Sequence, residues 1–292
     1  MLRKHLPEGS LYLNTGHGNL TDAVFRAVHA IKGARCAALV HDTIPLDHPD
    51  LCRTGTGAAF ARRLQSVGAN ADLVIYTTDT AATAAARHFA RWGRVPPAVV
   101  APLGVHWITP DMSHLPPRLP LDRPYFLAVG TIEPRKNHAL LLDIWAGFHA
   151  RMPADDIPRL FILGARGWAD AALLDRLDRL PFRNDTVFEV AGLPDAAVAA
   201  LMKRSAGLLF PSLAEGYGLP PLEAAQAGAP VVCNDLPVYR ETLGDYPVYV
   251  SVTDGYLWAQ TINGLAQGHR GPTKRFKAPD WADHFNRVLS RI

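Results

Sequence analysis

The chain has 292 residues, 48% of them hydrophobic, and this length and composition fit two globular domains. The net charge of +3 includes no dense run of lysine or arginine, which argues against nucleic acid as the main partner. The three cysteines are widely spaced without a C-x-x-C pair, so we expect a reducing compartment and no cysteine metal site. No apolar run approaches the roughly 20 residues of a membrane span, and the N-terminus lacks a signal-peptide core. These features predict a cytoplasmic protein.

Strands and helices alternate in the first part of the chain. Apolar runs predict strands at Leu11–Leu13, Cys36–Val40, Leu73–Thr77 and Ala98–Pro102, with helices between them at Thr21–Ile31, Ala58–Gly68 and Thr80–Trp92. This order predicts a parallel sheet covered on both faces. A glycine-rich turn, Thr15–Asn19, follows the first strand, and it suits either phosphate binding or a simple tight turn. The pair His41–Asp42 follows the second strand, where Asp42 is equally well explained as an N-cap or turn residue ahead of a proline, and His41 as a structural histidine.

Five prolines predict a stiff linker over residues 107–124, which separates a first domain, 1–106, from a second, 125–270, and a C-terminal helix in 271–292. In the second part, strands are predicted at Tyr125–Gly130, Leu160–Leu163, Thr186–Val190, Gly207–Phe210, Val231–Cys233 and Val248–Val250. Helical patterns lie between them, and two more follow at Tyr256–Ala266 and Trp281–Ile292. The whole pattern indicates an α/β protein with parallel sheets.

The stretch Glu215–Val232 combines several functional signals. Two glycines surround Tyr217, and two consecutive prolines lie where a missing N–H has no cost, in the first turn of a helix. Such a helix start presents unpaired N–H groups and a positive dipole end, which attract anions. Glu215 and Glu223 flank it, and carboxylates accept hydrogen bonds from hydroxyl-rich ligands. For Glu223 alone, interaction with the helix dipole, worth roughly 0.3–1 kcal/mol, is the favoured explanation.

Three polar clusters follow predicted strands, namely His41–Asp42, Arg135–Lys136 and Glu215–Glu223. In doubly wound sheets such ends face a crevice, and we expect the two domains to face each other across a cleft. Arginine binds phosphate oxygens bidentately, and lysine adds a compact positive charge. Cations, a helix start and two carboxylates together favour a diphosphate with hydroxyl-rich groups at both ends, which describes a nucleotide sugar.

The second part of the chain resembles the retaining glycosyltransferases of family 4, which have the GT-B fold. Three strings show the resemblance: FLAVGTIEPRKNHALLLDIW, VAGLPDAAVAALMKRSAGLLFPSLAEGYGLPPLEAAQAGAPVV and ETLGD. This part resembles the C-terminal half of the family over roughly Tyr125 to Val250. The strings LVHDTIPLDHPDLCR and ADLVIYTT resemble the N-terminal half, in a subgroup associated with bacterial surface polysaccharide and lipopolysaccharide assembly. The resemblance implies two Rossmann-like doubly wound domains, an acceptor-side domain and a nucleotide-sugar-binding domain.

The resemblance also implies a role for individual positions. Arg135 and Lys136 hold the diphosphate and stabilise the charge that develops as the nucleoside diphosphate leaves. Glu215 binds hydroxyls of the transferred sugar, Glu223 binds the ribose, and His41 approaches the sugar as a further catalytic group. The other donor-binding positions that it implies are Gly16, Gly18, Asp42, Gly130, Gly192, Leu193, Gly216, Tyr217, Gly218 and Leu219.

The implied reaction moves a hexose with retention, by front-face displacement in which the leaving phosphate oxygen takes the acceptor's proton. No protein nucleophile, metal or cofactor is expected, and no D-x-D motif stands at a predicted strand end. The donor is a GDP-, UDP- or dTDP-linked sugar, and the acceptor is a polysaccharide or a lipid-linked saccharide. Arg3, Lys4 and the stretch Lys274–Lys277 are candidate contacts to the inner face of a membrane, although solvated surface charge is the favoured interpretation.

The first domain departs from the family pattern because it offers four predicted strands, fewer than the family usually has. It is either naturally reduced or part of a longer domain, and this places acceptor binding in question. Two other functions therefore stay open. One is a non-catalytic, nucleotide-sugar-binding partner subunit, and the other is a sugar-nucleotide epimerase of the same broad architecture.

Overall fold

A computed structural model of the protein describes residues 5–16, 18–117, 119–168, 171–269 and 275–292. These residues form two compact units. The first comprises those up to Val105, with Glu215–Tyr217 and Pro279–Ile292, and the second comprises those of His106–Ala214 and Gly218–Ala278. The residues Arg3, Lys4 and Lys274, named as candidate membrane contacts, lie outside the described ranges, as does His17 of the glycine-rich turn.

The structure gives the bounds of the helices and strands. The strands are β1 (Leu11–Asn14), β2 (Arg35–Val40), β3 (Leu73–Tyr76), β4 (Ala98–Val100), β5 (Tyr125–Val129), β6 (Arg159–Leu163), β7 (Val187–Val190), β8 (Gly207–Phe210), β9 (Val231–Cys233) and β10 (Val248–Tyr249). The helices are α1 (Asp22–His29), α2 (Ile44–Asp47), α3 (Thr56–Asn70), α4 (Asp79–Arg91), α5 (His138–Arg151), α6 (Ala171–Asp178), α7 (Asp195–Arg204), α8 (Leu219–Gln226), α9 (Pro237–Leu243), α10 (Gly255–Ala266) and α11 (Trp281–Leu289).

The first unit is built on a parallel sheet whose strands lie in the order β1-β2-β3-β4. One buried cluster joins α1, α3 and α4 to this sheet through Phe25, Phe60 and Phe89. A second cluster contains strand residues of the alternate set, which point to the other face, together with Val288 of α11. His284 of α11 also lies 3.0 Å through Nδ1 from the Ala101 carbonyl oxygen. The C-terminal helix is therefore part of the first unit.

The second unit is built on a parallel sheet in the order β10-β9-β8-β5-β6-β7. The chain runs outward from β5 through β6 to β7, and then returns to β8 on the opposite side of β5. This reversal makes a topological switch point between β5 and β8. In open parallel sheets, ligands bind in the crevice outside the carboxyl ends of the strands at such a point. The topology therefore directs attention to the loops that follow β5 and β8.

The core of the second unit contains two large indole side chains whose N–H groups are hydrogen-bonded. Trp145 and Trp258 are fully buried, and their indole N–H groups donate to the carbonyl oxygens of Pro158 and Ser251. Phe126 of the central strand packs edge-on against Trp145. A core that buries indoles without leaving their N–H groups unpaired holds the sheet and its loops in one arrangement.

Local chemistry explains where two helices begin. Helix α8 begins at Leu219 with both prolines in its first turn, and Gly218 precedes it at a φ of 95°, so the predicted helix start is confirmed. Helix α2 was not among the predicted helices, although Pro45 in its first turn is compatible with a helix start. None of the helices in the described ranges combines the length and apolar composition needed to cross a bilayer.

Candidate functional site

The loop after β5 carries the first predicted cation. Gly130 adopts a φ of 135°, and a Cβ there would lie 3.1 Å from Cε of Lys136, so the lysine side chain lies directly over the glycine. Its Nζ is 4.3 Å from the centre of the Phe210 ring at the end of β8. Lys136 thus extends from the loop of one switch-point strand to the last residue of the other, supported by an aromatic face.

Arg135 joins the same two loops through its guanidinium and its backbone. Its Nη2 lies 2.7 Å from Oε1 of Glu133, and its Nη1 donates to the carbonyl oxygen of Ala214 at 2.9 Å. The backbone carbonyl of Arg135 in turn accepts the N–H of Leu213 at 2.8 Å. Trp168 donates its indole N–H to the other oxygen of Glu133 at 3.1 Å. Glu133, which we did not single out from the sequence, therefore orients the arginine.

A buried histidine limits the titratable charge near these loops. His138, the first residue of α5, is 2% exposed, and burial together with the nearby charge of Lys136 lowers its pKa to about 4. It is therefore neutral at physiological pH, although it directly follows the cationic segment. The positive charge of the loop consequently comes from Arg135 and Lys136.

The start of α8 requires glycine for two reasons. Gly218 has a φ of 95°, and a Cβ on it would lie 2.9 Å from Cε1 of the buried Tyr239 ring. A larger residue would therefore strain the backbone and displace an aromatic side chain. Leu219, the next predicted donor-binding residue, is 38% exposed. The glycine thus allows the buried Tyr239 ring to pack directly against the residue that precedes α8.

A pocket lies beside Glu223 within the second unit. It encloses about 540 Å³ of empty space, part of it open to solvent. One wall is a face of α7 and the opposite wall is a face of α8, and the segment 106–110 completes the lining. The lining residues are His106, Trp107, Ile108, Pro110, Asp195, Val198, Ala199, Met202, Glu223, Gln226 and Ala227. A mostly apolar cavity with a few convergent polar groups is the usual form of a small-molecule site.

Two carboxylates, Glu223 and Asp195, line this pocket. Burial, and secondarily the charge of Asp195, raise the pKa of Glu223 above its ordinary value. Ionising Glu223 therefore has a cost in the native state, which is characteristic of groups retained for binding or catalysis. Gly192 has a φ of 75° with open space on its Cβ side, and with Leu193 it precedes α7 on the same chain segment as Asp195. Glu223 was singled out from the sequence, whereas Asp195 and Trp107 were not.

Several predicted residues meet within the first unit. A Cβ on Gly216 would lie 2.8 Å from Oδ2 of Asp42 and 2.9 Å from the carbonyl oxygen of His41, so this glycine packs directly on the pair. The segment also contains the half-buried Glu215, and Tyr217 donates its hydroxyl to the carbonyl oxygen of Leu103 at 2.6 Å. The structure thus brings His41 and Asp42 together with Glu215–Tyr217.

Asp42 has a structural function as well, because its Oδ1 accepts the N–H of Ile44 at 3.0 Å at the start of α2. The hydrogen bond to Oδ1 therefore agrees with the interpretation of Asp42 as a turn residue. Its second oxygen faces Gly216.

The glycine-rich turn after β1 is organised by a residue that sequence reasoning did not single out. Asn14 accepts the N–H of Gly16 at 3.1 Å and donates to the carbonyl oxygen of Gly18 at 2.7 Å. A Cβ on either glycine would meet nothing within 4 Å. Steric crowding therefore does not require these glycines, and the turn has open space beside it.

A family model and several known proteins match this chain. The model of the family described as glycosyl transferases group 1 matches residues 114–267, which is more than half of the chain. The serotype-specific mannosyltransferase WbdA of Escherichia coli is 31% identical over 232 residues, which are 75% of this chain and 28% of WbdA. The O-antigen chain mannosyltransferase RfbU of Salmonella typhimurium is 27% identical over 57% of this chain and 42% of its own length. The chain thus spans less than half the length of these curated relatives.

Solved structures share the fold. The pneumococcal O-GlcNAc transferase GtfA superimposes with a TM-score of 0.67 at 18% identity, over 100% of this chain and 56% of its own. The sucrose-phosphate synthase of Thermosynechococcus elongatus superimposes with a TM-score of 0.69 at 19% identity, over 96% of this chain and 69% of its own. The predicted α/β fold with parallel sheets is confirmed, and these neighbours have the GT-B fold.

Proposed function

Because the chain belongs to the family of glycosyl transferases group 1, we propose that it is a retaining glycosyltransferase, which moves a hexose from a nucleotide sugar to a saccharide acceptor. The observation that carries this proposal is the pocket beside Glu223, on the helix that follows a switch-point strand. Its shape and its two acids suit a nucleoside. Glu223 accepts hydrogen bonds from the ribose hydroxyls, and the apolar side of α7 borders the base.

The diphosphate in this proposal lies at the switch point, beside Lys136 and the first turn of α8. Lysine binds phosphate oxygens as a compact charge, and the positive dipole end of α8 adds to it, although among its first three residues only Leu219 has an N–H. As the bond to the sugar breaks, negative charge grows on the leaving diphosphate, and fixed donors aimed at that charge lower the barrier. Loss of one such donor typically costs about 2.7–4 kcal/mol of transition-state stabilisation. Arg135 contributes its positive charge while it also joins the two loops.

We propose front-face displacement as the chemical step. The bond between the anomeric carbon and the phosphate oxygen breaks, and the acceptor oxygen bonds to the same face of the carbon. The acceptor's proton passes to the leaving phosphate oxygen, so the atoms balance without a protein nucleophile. His41 and Glu215, which lie close together in the first unit, are the proposed contacts to the transferred sugar.

The names of the relatives direct the choice of sugar. WbdA and RfbU are named as mannosyltransferases, and RfbU is named for O-antigen chains. We therefore propose that a nucleotide-linked mannose is the donor and that a polysaccharide or lipid-linked saccharide at the cytoplasmic face of a membrane is the acceptor. GDP-, UDP- and dTDP-linked sugars are the donors to compare.

The proposal is tested on the full chain. Calorimetric titration with GDP, UDP and dTDP identifies the base, and transfer to an O-antigen saccharide is then followed with the matching sugar donor. Lys136→Ala should lower the transfer rate by about 10²–10³-fold with an unchanged melting temperature. Lys32→Ala is the matched control, because Lys32 is an exposed lysine paired with Glu8 at 3.2 Å.

The outcomes distinguish the open alternatives. Nucleotide binding without transfer or donor hydrolysis identifies a non-catalytic partner subunit. A donor that returns isomerised, as detected by NMR, identifies an epimerase. Transfer that survives Lys136→Ala at a near-normal rate overturns the assignment of this residue.

A further inference from the structure

Three residues with different metal-binding chemistry meet at the amino-terminal edge of the first unit's sheet. His29 is the last residue of α1, Cys36 is the second residue of β2, and Asp72 directly precedes β3. One ligand atom from each, an imidazole nitrogen, a thiol sulfur and a carboxylate oxygen, lies within 4.8 Å of the other two. The cluster is remote along β2 from His41–Asp42, which follows the opposite end of that strand.

The carboxylate of this cluster is held in place by the sheet. Oδ2 of Asp72 accepts the backbone N–H of Cys36 at 2.7 Å, and the backbone N–H of Asp72 donates to the Cys36 carbonyl oxygen at 2.9 Å. Nε2 of His29 lies 2.9 Å from the same carboxylate oxygen. One carboxylate oxygen thus has two partners from this cluster. Hydrogen bonds of this kind orient ligating carboxylates in metal sites.

The burial of the three groups fits a site that opens to solvent on one side. Cys36 is fully buried, whereas the side chains of His29 and Asp72 are 35% and 39% exposed. A cation can therefore approach past the imidazole and the carboxylate and reach the sulfur last. Arg35, which precedes Cys36 in the chain, donates its guanidinium to the Arg291 carbonyl oxygen at 3.3 Å.

We propose that His29, Cys36 and Asp72 bind a zinc-class divalent cation, with water as the fourth ligand. Imidazole nitrogen, thiolate sulfur and carboxylate oxygen are the ligands that proteins use for Zn²⁺, whereas Mg²⁺ and Ca²⁺ prefer oxygen. An ion pair alone accounts for His29 and Asp72. An ion pair does not explain why the Cys36 sulfur also lies within 4.8 Å of the imidazole nitrogen and the carboxylate oxygen.

Binding has a defined proton balance. The S–H bond of Cys36 breaks, a metal–sulfur bond forms, and the proton passes to the buffer. Only the thiolate binds the metal, so binding releases the thiol proton of Cys36.

The site would join three elements of the first unit. The ligands come from the end of α1 and from the starts of β2 and β3, which are otherwise joined by packing and by the sheet. A metal ion there stabilises the native state by mass action, because the unfolded chain does not hold the ligands together. The sequence did not indicate this site, because its single cysteine forms no C-x-x-C pair and its ligands are separated along the chain.

Cobalt provides a direct test on the full chain. The protein is stripped with a chelator, kept reduced, and titrated with Co²⁺ under absorption spectroscopy. The expected result is a thiolate-to-cobalt charge-transfer band that saturates at one equivalent and is displaced by Zn²⁺. Calorimetric titration with Zn²⁺ in buffers of different ionisation enthalpy should report the release of protons on binding.

Variants separate this site from adventitious binding. His29→Gln changes a partly exposed side chain and should abolish saturable binding while the melting temperature without metal stays near that of the wild type. Cys36→Ser should remove the charge-transfer band. Cys233→Ser, which alters another buried thiol, should retain the band. Absence of the band in the wild type, or its survival in Cys36→Ser or His29→Gln, overturns the proposal.

Discussion

At the scale of single residues, Glu223 combines a stability penalty with a proposed role in binding. Burial and the neighbouring Asp195 raise its pKa, so the native state holds the Glu223 proton more tightly than the unfolded chain does. Its contribution to the free energy of unfolding therefore decreases as pH rises from the ordinary carboxyl pKa to the raised one, and stays at that lower level above it. Below the ordinary pKa the penalty is absent. A residue with this property destabilises the fold at neutral pH.

We predict that Glu223→Gln raises the free energy of unfolding at neutral pH, because the amide is never ionised. The advantage over the wild type should disappear as pH falls below about 4.5, the ordinary pKa of a glutamate. Nucleoside diphosphate affinity should decrease about tenfold, since a charge-assisted hydrogen bond is replaced by a neutral one. Denaturant unfolding from pH 4 to 8 and calorimetric titration measure the two effects.

Glu241→Gln provides the matched control, because Glu241 is an exposed glutamate on α9 of the same unit. It should leave both quantities near their wild-type values. The proposed burial penalty is contradicted if the difference in the free energy of unfolding between Glu223→Gln and the wild type is the same at every pH in this range.

At the scale of elements, the loops that contain the proposed site residues differ in how closely their glycines pack against other segments. Gly216 lies on the His41–Asp42 pair, whereas Gly16 in the turn after β1 has open space beside it. Both positions have backbone angles outside the left-handed region, so alanine is not excluded by conformation alone. The two glycines therefore differ in packing and form a natural pair for comparison.

We predict that Gly216→Ala lowers the free energy of unfolding by about 1–3 kcal/mol, as overpacking typically does, because its Cβ would crowd a carboxylate and a backbone carbonyl oxygen. Gly16→Ala should change stability by less than about 0.5 kcal/mol, as open surface positions do. Guanidinium denaturation of both variants measures the difference. Equal effects in the two variants would show that the close contact at Gly216 relaxes without cost.

At the scale of the whole molecule, the sequence was most informative where the responsible chemistry is local. The start of α8 follows from consecutive prolines after a glycine, and the strands follow from apolar runs, so these features were predicted correctly. The partners of the site were missed because they depend on tertiary contacts. Glu133 contributes through its ion pair with Arg135, and Asp195 contributes because α7 lies beside α8, so that Asp195 and Glu223 line one pocket. An amphipathic pattern likewise predicted α11 but not the sheet that it covers.

The two units also differ in how their cores are assembled, and this leads to a prediction about fragments. All the buried residues of the second unit's largest core cluster, among those that the structure describes, lie within that unit. The first unit instead requires Val288 of α11 to cover one face of its sheet. A chain cut to residues 106–278 should therefore fold alone, whereas residues 1–105 should not.

The 106–278 fragment should melt cooperatively by circular dichroism and bind the preferred nucleoside diphosphate within about threefold of the full chain, a difference below 1 kcal/mol. The pocket beside Glu223 and the loop of Lys136 are both retained in it. The same fragment with Lys136→Ala should bind more weakly, which separates specific binding from non-specific association. A fragment that folds but does not bind the nucleotide would show that the pocket and the cation loop are insufficient for recognition.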